Sequence, residues 1–432
     1  MNLLLINQYW FASEWREAGH KVLSVGRYPY LDVEIPHGVS SIHEILSEYC
    51  GGFQPDRIVI FDDSSPLTIF GLDELDVPQF FYSVDTHHHY ERHREFIGAV
   101  DEVWTAQSDY IEYLEGLGGK VAWMPLWASV QYEGSTHKEI DACFVGTLNR
   151  SLNPKRVEFF NRLKSRSPIT VTTGSFQTIF PTARMIVNQT VKQDLNFRVF
   201  EAMMSGSLLI TERIGNGLFQ LFSDSVHLVT YGPDDDIEAA DKIAYYIDHK
   251  EEARQIGEAG REEIMRAHLP HHRAQTLMST ISSLTRNRTG NRHLSMMTNH
   301  IFLAIGRREL PSTVLRLEAL AAGAIALERA MLSGENITLP QATLAAIGCL
   351  EYDELQGSTI GYRLLNKAAE VWRDCPILQL VHIWQLSRAG HTQDALRFAE
   401  STFGGKTEDV CAQACEVTDM ILQMYGGHGV VR

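Results

Sequence analysis

Short apolar runs alternate with helical patterns through roughly the first 285 of the 432 residues. Leu3–Ile6, Lys21–Val25, Arg57–Phe61, Gln79–Val84, Glu102–Thr105 and Val121–Met124 read as buried strands. Helical spacing lies between most of them, as in Ser40–Cys50 and Ser108–Gly116. The first crossover, Glu14 to Gly19, leaves room for barely two turns. A polar break at Trp127–Lys138, containing Gly134, precedes a second alternating set. Its strands are Ala142–Val145, Ile169–Thr172, Met185–Asn188, Leu208–Thr211 and Val226–Val229. Its helices are Pro154–Ser165, Ile237–His249, Glu251–His268 and Ala274–Leu284. This alternation predicts an α/β fold: two doubly wound, Rossmann-like domains, 1–130 and 131–285, with parallel sheets and a cleft between them.

Beyond a polar linker at Thr285–Arg292 the pattern is almost entirely helical. Leu317–Leu332, Thr343–Leu350, Gly361–Trp372, Ile377–Arg388, Thr392–Ser401 and Asp409–Met424 give an all-α region over 286–432. Leu386, Gly390 and Ala395 fit one degenerate tetratricopeptide repeat, with no clean second copy at a period of about 34 residues. Such a tail either offers residues 310–425 to a protein partner or a second copy, or covers one face of the preceding domains. The pattern leaves both open.

A formal net charge of −16 argues against nucleic acid as the main ligand. No run approaches the roughly 18 apolar residues of a membrane span. The first apolar run lacks the basic start of a signal peptide, so a cytoplasmic location is expected. Cys50, Cys143, Cys349, Cys375, Cys411 and Cys415 form no CxxC pair and read as reduced thiols. Cys411 and Cys415 share a helical face.

The stretch from Asp194 to Thr211 reads as a polar loop, a short helix closed by Gly206, and a buried strand. Arg198 falls in the first helical turn and Glu201 one turn later. A helix N-terminus with free N–H groups and a guanidinium suits a diphosphate, and a carboxylate behind it suits ribose hydroxyls. Gly146-Thr147 and Thr173-Gly174 also sit at strand ends, and Asn188 and Asn196 are neutral amides flanking the same loop. In the first domain, Asp85 and His87 follow a strand, a carboxylate able to deprotonate a hydroxyl beside an imidazole able to contact a sugar or phosphate. Asp62-Asp63-Ser64-Ser65 forms a second acidic strand end, serving the acceptor side or capping the next helix. His89 and His93 have the i, i+4 spacing of metal ligands, but no carboxylate or cysteine matches them, so no metal is assigned.

Residues 141–285 resemble the C-terminal half of GT-B glycosyltransferases, specifically the spore-maturation (CgeB-like) group related to glycosyltransferase family 4. The resemblance rests on Phe144-Val145-Gly146-Thr147-Leu148, Arg198-Val199-Phe200-Glu201-Ala202-Met203, Gly206, Gly215-Asn216-Gly217-Leu218, Tyr231, Gly257, Gly260-Arg261 and His268 to Arg273. Residues 79–130 add Tyr82-Ser83-Val84-Asp85, Val103-Trp104-Thr105-Ala106-Gln107 and Trp123-Met124-Pro125-Leu126. The tail is not covered. The resemblance implies transfer of a sugar from a nucleotide-diphosphate donor to a hydroxyl on a glycan or protein, with neither metal nor further cofactor. Arg198, Gly146 and Thr147 would then hold the diphosphate, and Glu201 the ribose. Gln193 stands where the family-4 Glu-x7-Glu motif has its first glutamate, so inversion or retention stays open. A catalytically degenerate scaffold acting through its tail is the competing expectation.

Overall fold

The computed structural model describes residues 1–404 except 37–38, 66, 95, 118, 133–137, 288–289, 306–311 and 389, together with Val410 and Ala414. Part of the expected break at Trp127–Lys138, including Gly134, therefore lies outside the described residues. So do Cys411, Cys415 and nearly all of Asp409–Met424.

The first sheet holds β1 (Asn2–Ile6), β2 (Lys21–Gly26), β3 (Val33–Glu34), β4 (Arg57–Phe61), β5 (Gln79–Ser83), β6 (Glu102–Thr105) and β7 (Val121–Trp123). All pair in parallel, in the order β3-β2-β1-β4-β5-β6-β7. The second holds β8 (Ile140–Val145), β9 (Thr170–Thr172), β10 (Ala183–Asn188), β11 (Leu208–Glu212) and β12 (Val229–Tyr231), also parallel, in the order β9-β8-β10-β11-β12. The winding direction reverses between β1 and β4, and again between β8 and β10. These reversals open crevices at the carboxyl ends of the strands.

The helices used below are α1 (Ala12–Glu17), α2 (Thr86–His93), α3 (Pro154–Arg166), α4 (Phe197–Met204), α5 (Asp236–Asp248), α6 (Lys250–Ala267) and α7 (Pro270–Ser283). The tail adds α8 (Arg292–Ile305), α9 (Thr313–Ser333), α10 (Leu339–Gln356), α11 (Ile360–Val371), α12 (Pro376–Arg388) and α13 (Thr392–Phe403).

Side chains alternate across a strand, so the apolar runs feed two cores. Leu3, Leu5, Phe61 and Phe80 join a core that runs through the crossing segment (Met124, Leu126, Trp127) to Val145, Ile186, Val199 and Phe200 of the second half. Because α1 is short, α7 returns to cover this face. The Trp15 indole donates to the Ala274 carbonyl at 3.0 Å, and Arg57 to that of Ile281 at 3.1 Å. The opposite face (Leu4, Ile6, Ile58, Ile60, Phe81, Val103) shares its core with Leu294, Met297, Ile301, Leu327 and Ala345 of the tail. On the second sheet, Phe144, Met185 and Ile210 pack under Phe159 and Phe160 of α3, Ile243 of α5 and Ile256 of α6.

Two expectations shift. The strand expected at 226–229 forms at 229–231 instead, because Val226 is exposed in a turn held by the Asp224 carboxylate, which accepts from the Ser225 and Thr230 N–H groups. The stretch expected to be helical from Ser40 starts at Ile42; Ser40–Ser41 pairs with Ile69–Phe70 and the Ser41 hydroxyl caps the helix. The linker around 285–292 is anchored on Asp101, which accepts from the Asn287 N–H (2.6 Å), Arg286 (3.3 Å) and Arg292 (3.0 Å). Among the described residues no helix is long and apolar enough to cross a membrane.

Candidate functional site

The loops after β8 and β10 meet at the second sheet's reversal, and Arg198 spans them. It is the second residue of α4. Its Nε donates to the Val145 carbonyl (3.1 Å) at the end of β8, and its Nη1 to Asn188 Oδ1 (2.9 Å) at the end of β10. Asn188 is fully buried, and its Nδ2 is spent on Thr211 at 3.0 Å. It therefore reaches a ligand only through Arg198. The guanidinium lies 4.9 Å from the Phe144 ring centre, and that of Arg156 lies 5.8 Å from the same ring. Burial, then the like charge of Arg156, pushes Arg198 down to about 10, which leaves it cationic at neutral pH. Gly146 makes the arrangement possible: an added Cβ would sit 2.7 Å from Arg198 Nη2 and from Phe144 Cζ.

The loop before α4 is folded by Asp194, whose carboxylate accepts from the Val191 N–H (2.7 Å) and the Asn196 amide (3.4 Å). Lys192 and Gln193 both have positive φ, 51° and 62°. Asn196 stands at the N-cap without capping the helix, and its buried Oδ1 has no partner among the described residues, an acceptor suited to a hydroxyl. Glu201 accepts from the Ser129 hydroxyl at 2.5 Å, which ties the helix to the crossing segment. Burial raises its carboxyl, with Ser129 and Arg198 opposing. Thr147, Thr173 and Gly174 are less engaged. Thr147 and Thr173 are exposed at the ends of β8 and β9, and a Cβ on Gly174 would make only ordinary contact.

Across the cleft, Asp62 organises the end of β4. Its carboxylate accepts from the N–H groups of Ser64 (2.8 Å), Val84 (3.0 Å) and Asp85 (2.7 Å), and faces His93. Burial alone would raise it, but His93 and these donors hold it far below the usual carboxylate range. Asp85, at the N-cap of α2, accepts from the Ser64 hydroxyl. His87 is buried, and its Nδ1 has no partner among the described residues. Burial, then neighbouring His88, lowers it to about 4, so it is neutral at physiological pH. His93 is committed to Ser83 Oγ at 2.7 Å as well as to Asp62, so it is not free to ligate beside His89.

The two carboxyl edges face each other. Lys192 Nζ donates to the His87 carbonyl (3.2 Å), the Leu195 N–H to Gln107 Oε1 (2.9 Å), and the Asn216 N–H to Asp109 Oδ1 (2.9 Å). Between them lies a cavity of about 390 Å³ lined by Tyr90, Asp109, Tyr110, Tyr113, Lys192, Gln193 and Asn216. Sequence reasoning missed Arg156, Lys192, Asp109 and the tyrosines. Arg156 had a signal: it lies in the first turn of a helix opened by Asn153-Pro154, the context that marked Arg198.

Two doubly wound parallel sheets with opposed carboxyl edges, carrying a helical tail, form the GT-B class of fold. Residues 149–279 match the family described as glycosyl transferase-like. No curated protein matches the sequence. Among solved structures, the chain is similar to a sucrose-phosphate synthase from Thermosynechococcus elongatus (11% identity, 65% of this chain and 98% of that one, TM-score 0.47). It is also similar to a glycosyltransferase from Rickettsia africae (10%, 64% and 97%, 0.47) and to Anabaena HepE in complex with UDP and glucose (11%, 66% and 100%, 0.47).

Proposed function

We propose that the protein is a metal-independent, hexosyltransferase-like GT-B enzyme of the CgeB-like group related to family 4. It moves a sugar from a nucleoside-diphosphate donor to an acceptor hydroxyl on a glycan or protein, in the cytoplasm. Residues 131–285 hold the donor, residues 1–130 the acceptor, and 286–432 form a TPR-like support.

The observation that carries this reading is the Arg198 guanidinium spanning the reversal of the second sheet beside the start of α4. The glycosyl transferase-like match over 149–279 supports it. A cation and free N–H groups there oppose the charge that builds on the diphosphate as the bond from the sugar's anomeric carbon to phosphate oxygen breaks. The acceptor oxygen forms the new bond to that carbon, and its proton passes to the Asp85 carboxylate, which the Ser64 hydroxyl contacts while Asp62 accepts from the Asp85 backbone N–H. Neutral His87 orients the donor, Glu201 and Asn196 take ribose and sugar hydroxyls, and contact between the two edges excludes water that would hydrolyse the donor. Donor turnover with a panel of nucleotide sugars tests this. Arg198→Ala is expected to lose at least about a hundredfold in kcat/KM, some 3 kcal/mol of transition-state stabilisation. Glu201→Ala is expected to weaken donor binding about tenfold. Full activity in both variants contradicts the assignment.

The scaffold reading keeps one point in its favour: Gln193 occupies the first-glutamate position and two of the Arg198 nitrogens already have protein partners. Calorimetry with uridine and guanosine diphosphates separates the two, since absence of binding favours the scaffold.

A further inference from the structure

We infer that the acceptor is a neutral, linear oligosaccharide lying along the carboxyl edge of the first sheet, its rings stacked on two tyrosine clusters either side of the acidic centre. This rests on the glycosyltransferase reading of that cleft. The first cluster follows β1 and β2: Tyr28 and Tyr30 stack at 5.2 Å and 6°, and Tyr9 meets Tyr30 edge-on at 5.4 Å. The second follows β5 and β6: Tyr90, Tyr110 and Tyr113 lie with centroids 6.0–6.3 Å apart and line the cavity between the domains. Single exposed aromatics are ordinary, but two grouped triads at one sheet edge are not. Tyr9 and Tyr30 are each 52% exposed and Tyr113 is 64% exposed.

Strand order fixes their spacing. Along the edge run β2, β1, β4, β5 and β6, so the middles of the two clusters stand three strand steps apart, roughly 14 Å at about 4.8 Å per step. That distance holds several sugar rings. Asp62 and Asp63 follow β4, between the clusters, and Asp85 follows β5 beside the second. The electron-rich face of a phenol ring attracts the polarised C–H face of a pyranose, while the sugar's rim hydroxyls remain free for Asp and Asn side chains. Tyr28 is oriented for this by its hydroxyl, which donates to Asp63 at 3.2 Å. The acidic centre disfavours a polyanionic chain. At the second cluster the backbone of Lys192, Gln193 and Asn216 takes positive φ in three non-glycine residues, strain of the kind that collects where a ligand is clamped.

The test titrates the full chain, with uridine diphosphate present, with neutral gluco- and N-acetylgluco-oligosaccharides of one to six rings. Affinity is expected to rise with length up to about four to six rings. Tyr28→Ala/Tyr30→Ala and Tyr110→Ala/Tyr113→Ala should each weaken the longest ligand about tenfold, leave the monosaccharide nearly unchanged, and keep wild-type nucleotide affinity and melting temperature. No oligosaccharide binding, affinity independent of length, unchanged affinity in both double variants, or selective binding of serine- and threonine-rich peptides would overturn the inference. Loss of nucleotide binding by the wild type would instead strike the donor reading, and the oligosaccharide titration without nucleotide still decides the acceptor.

Discussion

At the site, Gly146 is a position where a missing side chain matters, because the Arg198 fork and the Phe144 ring occupy the volume a Cβ would take. Gly146→Ala is expected to push the guanidinium off Val145 and Asn188. Nucleoside diphosphate affinity should drop at least tenfold by calorimetry, while overpacking costs about 1–3 kcal/mol in a denaturant titration. Wild-type affinity in this variant would mean that Arg198 does not hold the diphosphate. The helix end at this point was legible in the sequence because helix-end signals are local: a polar residue before the first turn, an arginine in it, a carboxylate one turn on. What a residue does at long range was not. Asn188 was readable as a strand-end amide but not as fully buried, and only burial turns it from a ligand contact into the support of Arg198. Arg156 acquires its place when α3 folds over the sheet and sets it against Phe144, 12 residues earlier in the chain.

Among the elements, strands buried on both faces were the easiest to read, since near-continuous runs such as Arg57–Phe61 have few other uses. Helix α8 lies in the region expected to be helical but was not delimited as a helix. Leu294, Met297 and Ile301 line one side of it, but it is buried on nearly every side between the first sheet and the rest of the tail, and the equally buried Ser295, Thr298, Asn299 and His300 break up the apolar run. An added Cβ on Gly98 would lie 2.3 Å from Ser295 Oγ, so the helix packs nearly onto the backbone of the first domain. His300 makes this element acid-sensitive. Burial lowers it to about 4, with Asp73 opposing, whereas the unfolded chain takes up a proton near 6.5. A depressed histidine contributes stability that is present above pH 6.5 and lost as the pH falls toward 4, here on the order of 3 kcal/mol. Buried His268, lowered to about 3 by burial and then Arg273, acts in the same direction. Denaturation midpoints at pH 7, 5.5 and 4.5 should fall steadily, and His300→Leu should flatten part of that fall. An identical pH slope in the variant would remove His300 from the account.

At the scale of the molecule, the tail takes the place of a helical layer that the first domain lacks. Among the described residues that domain's own crossovers put short helices, at 42–49, 72–74 and 96–99, on the face formed by Leu4, Ile6, Ile58, Ile60, Phe81 and Val103. Helix α8, packed against 96–99, completes the cover, and α9 to α12 pack on it and on one another, so a large part of the region that looked available to a partner is turned inward. Of the two roles the sequence left open for the tail, covering a face is the one this packing satisfies. The physical consequence is severe for a shortened chain. Six large apolar side chains at about 1.5–3 kcal/mol each amount to on the order of 10 kcal/mol, comparable with the whole stability of a typical domain. A chain ending at residue 285 is therefore expected to aggregate or bind a hydrophobic dye on expression, and to lose nucleotide binding even though Arg198, Asn188 and Gly146 are all retained. Loss of binding would follow because the apolar core that positions α4 runs unbroken through the crossing segment into the first sheet, so disorder on one side reaches the other. A soluble, monomeric 1–285 fragment that binds uridine diphosphate as the full chain does would show that the tail is an independent module instead.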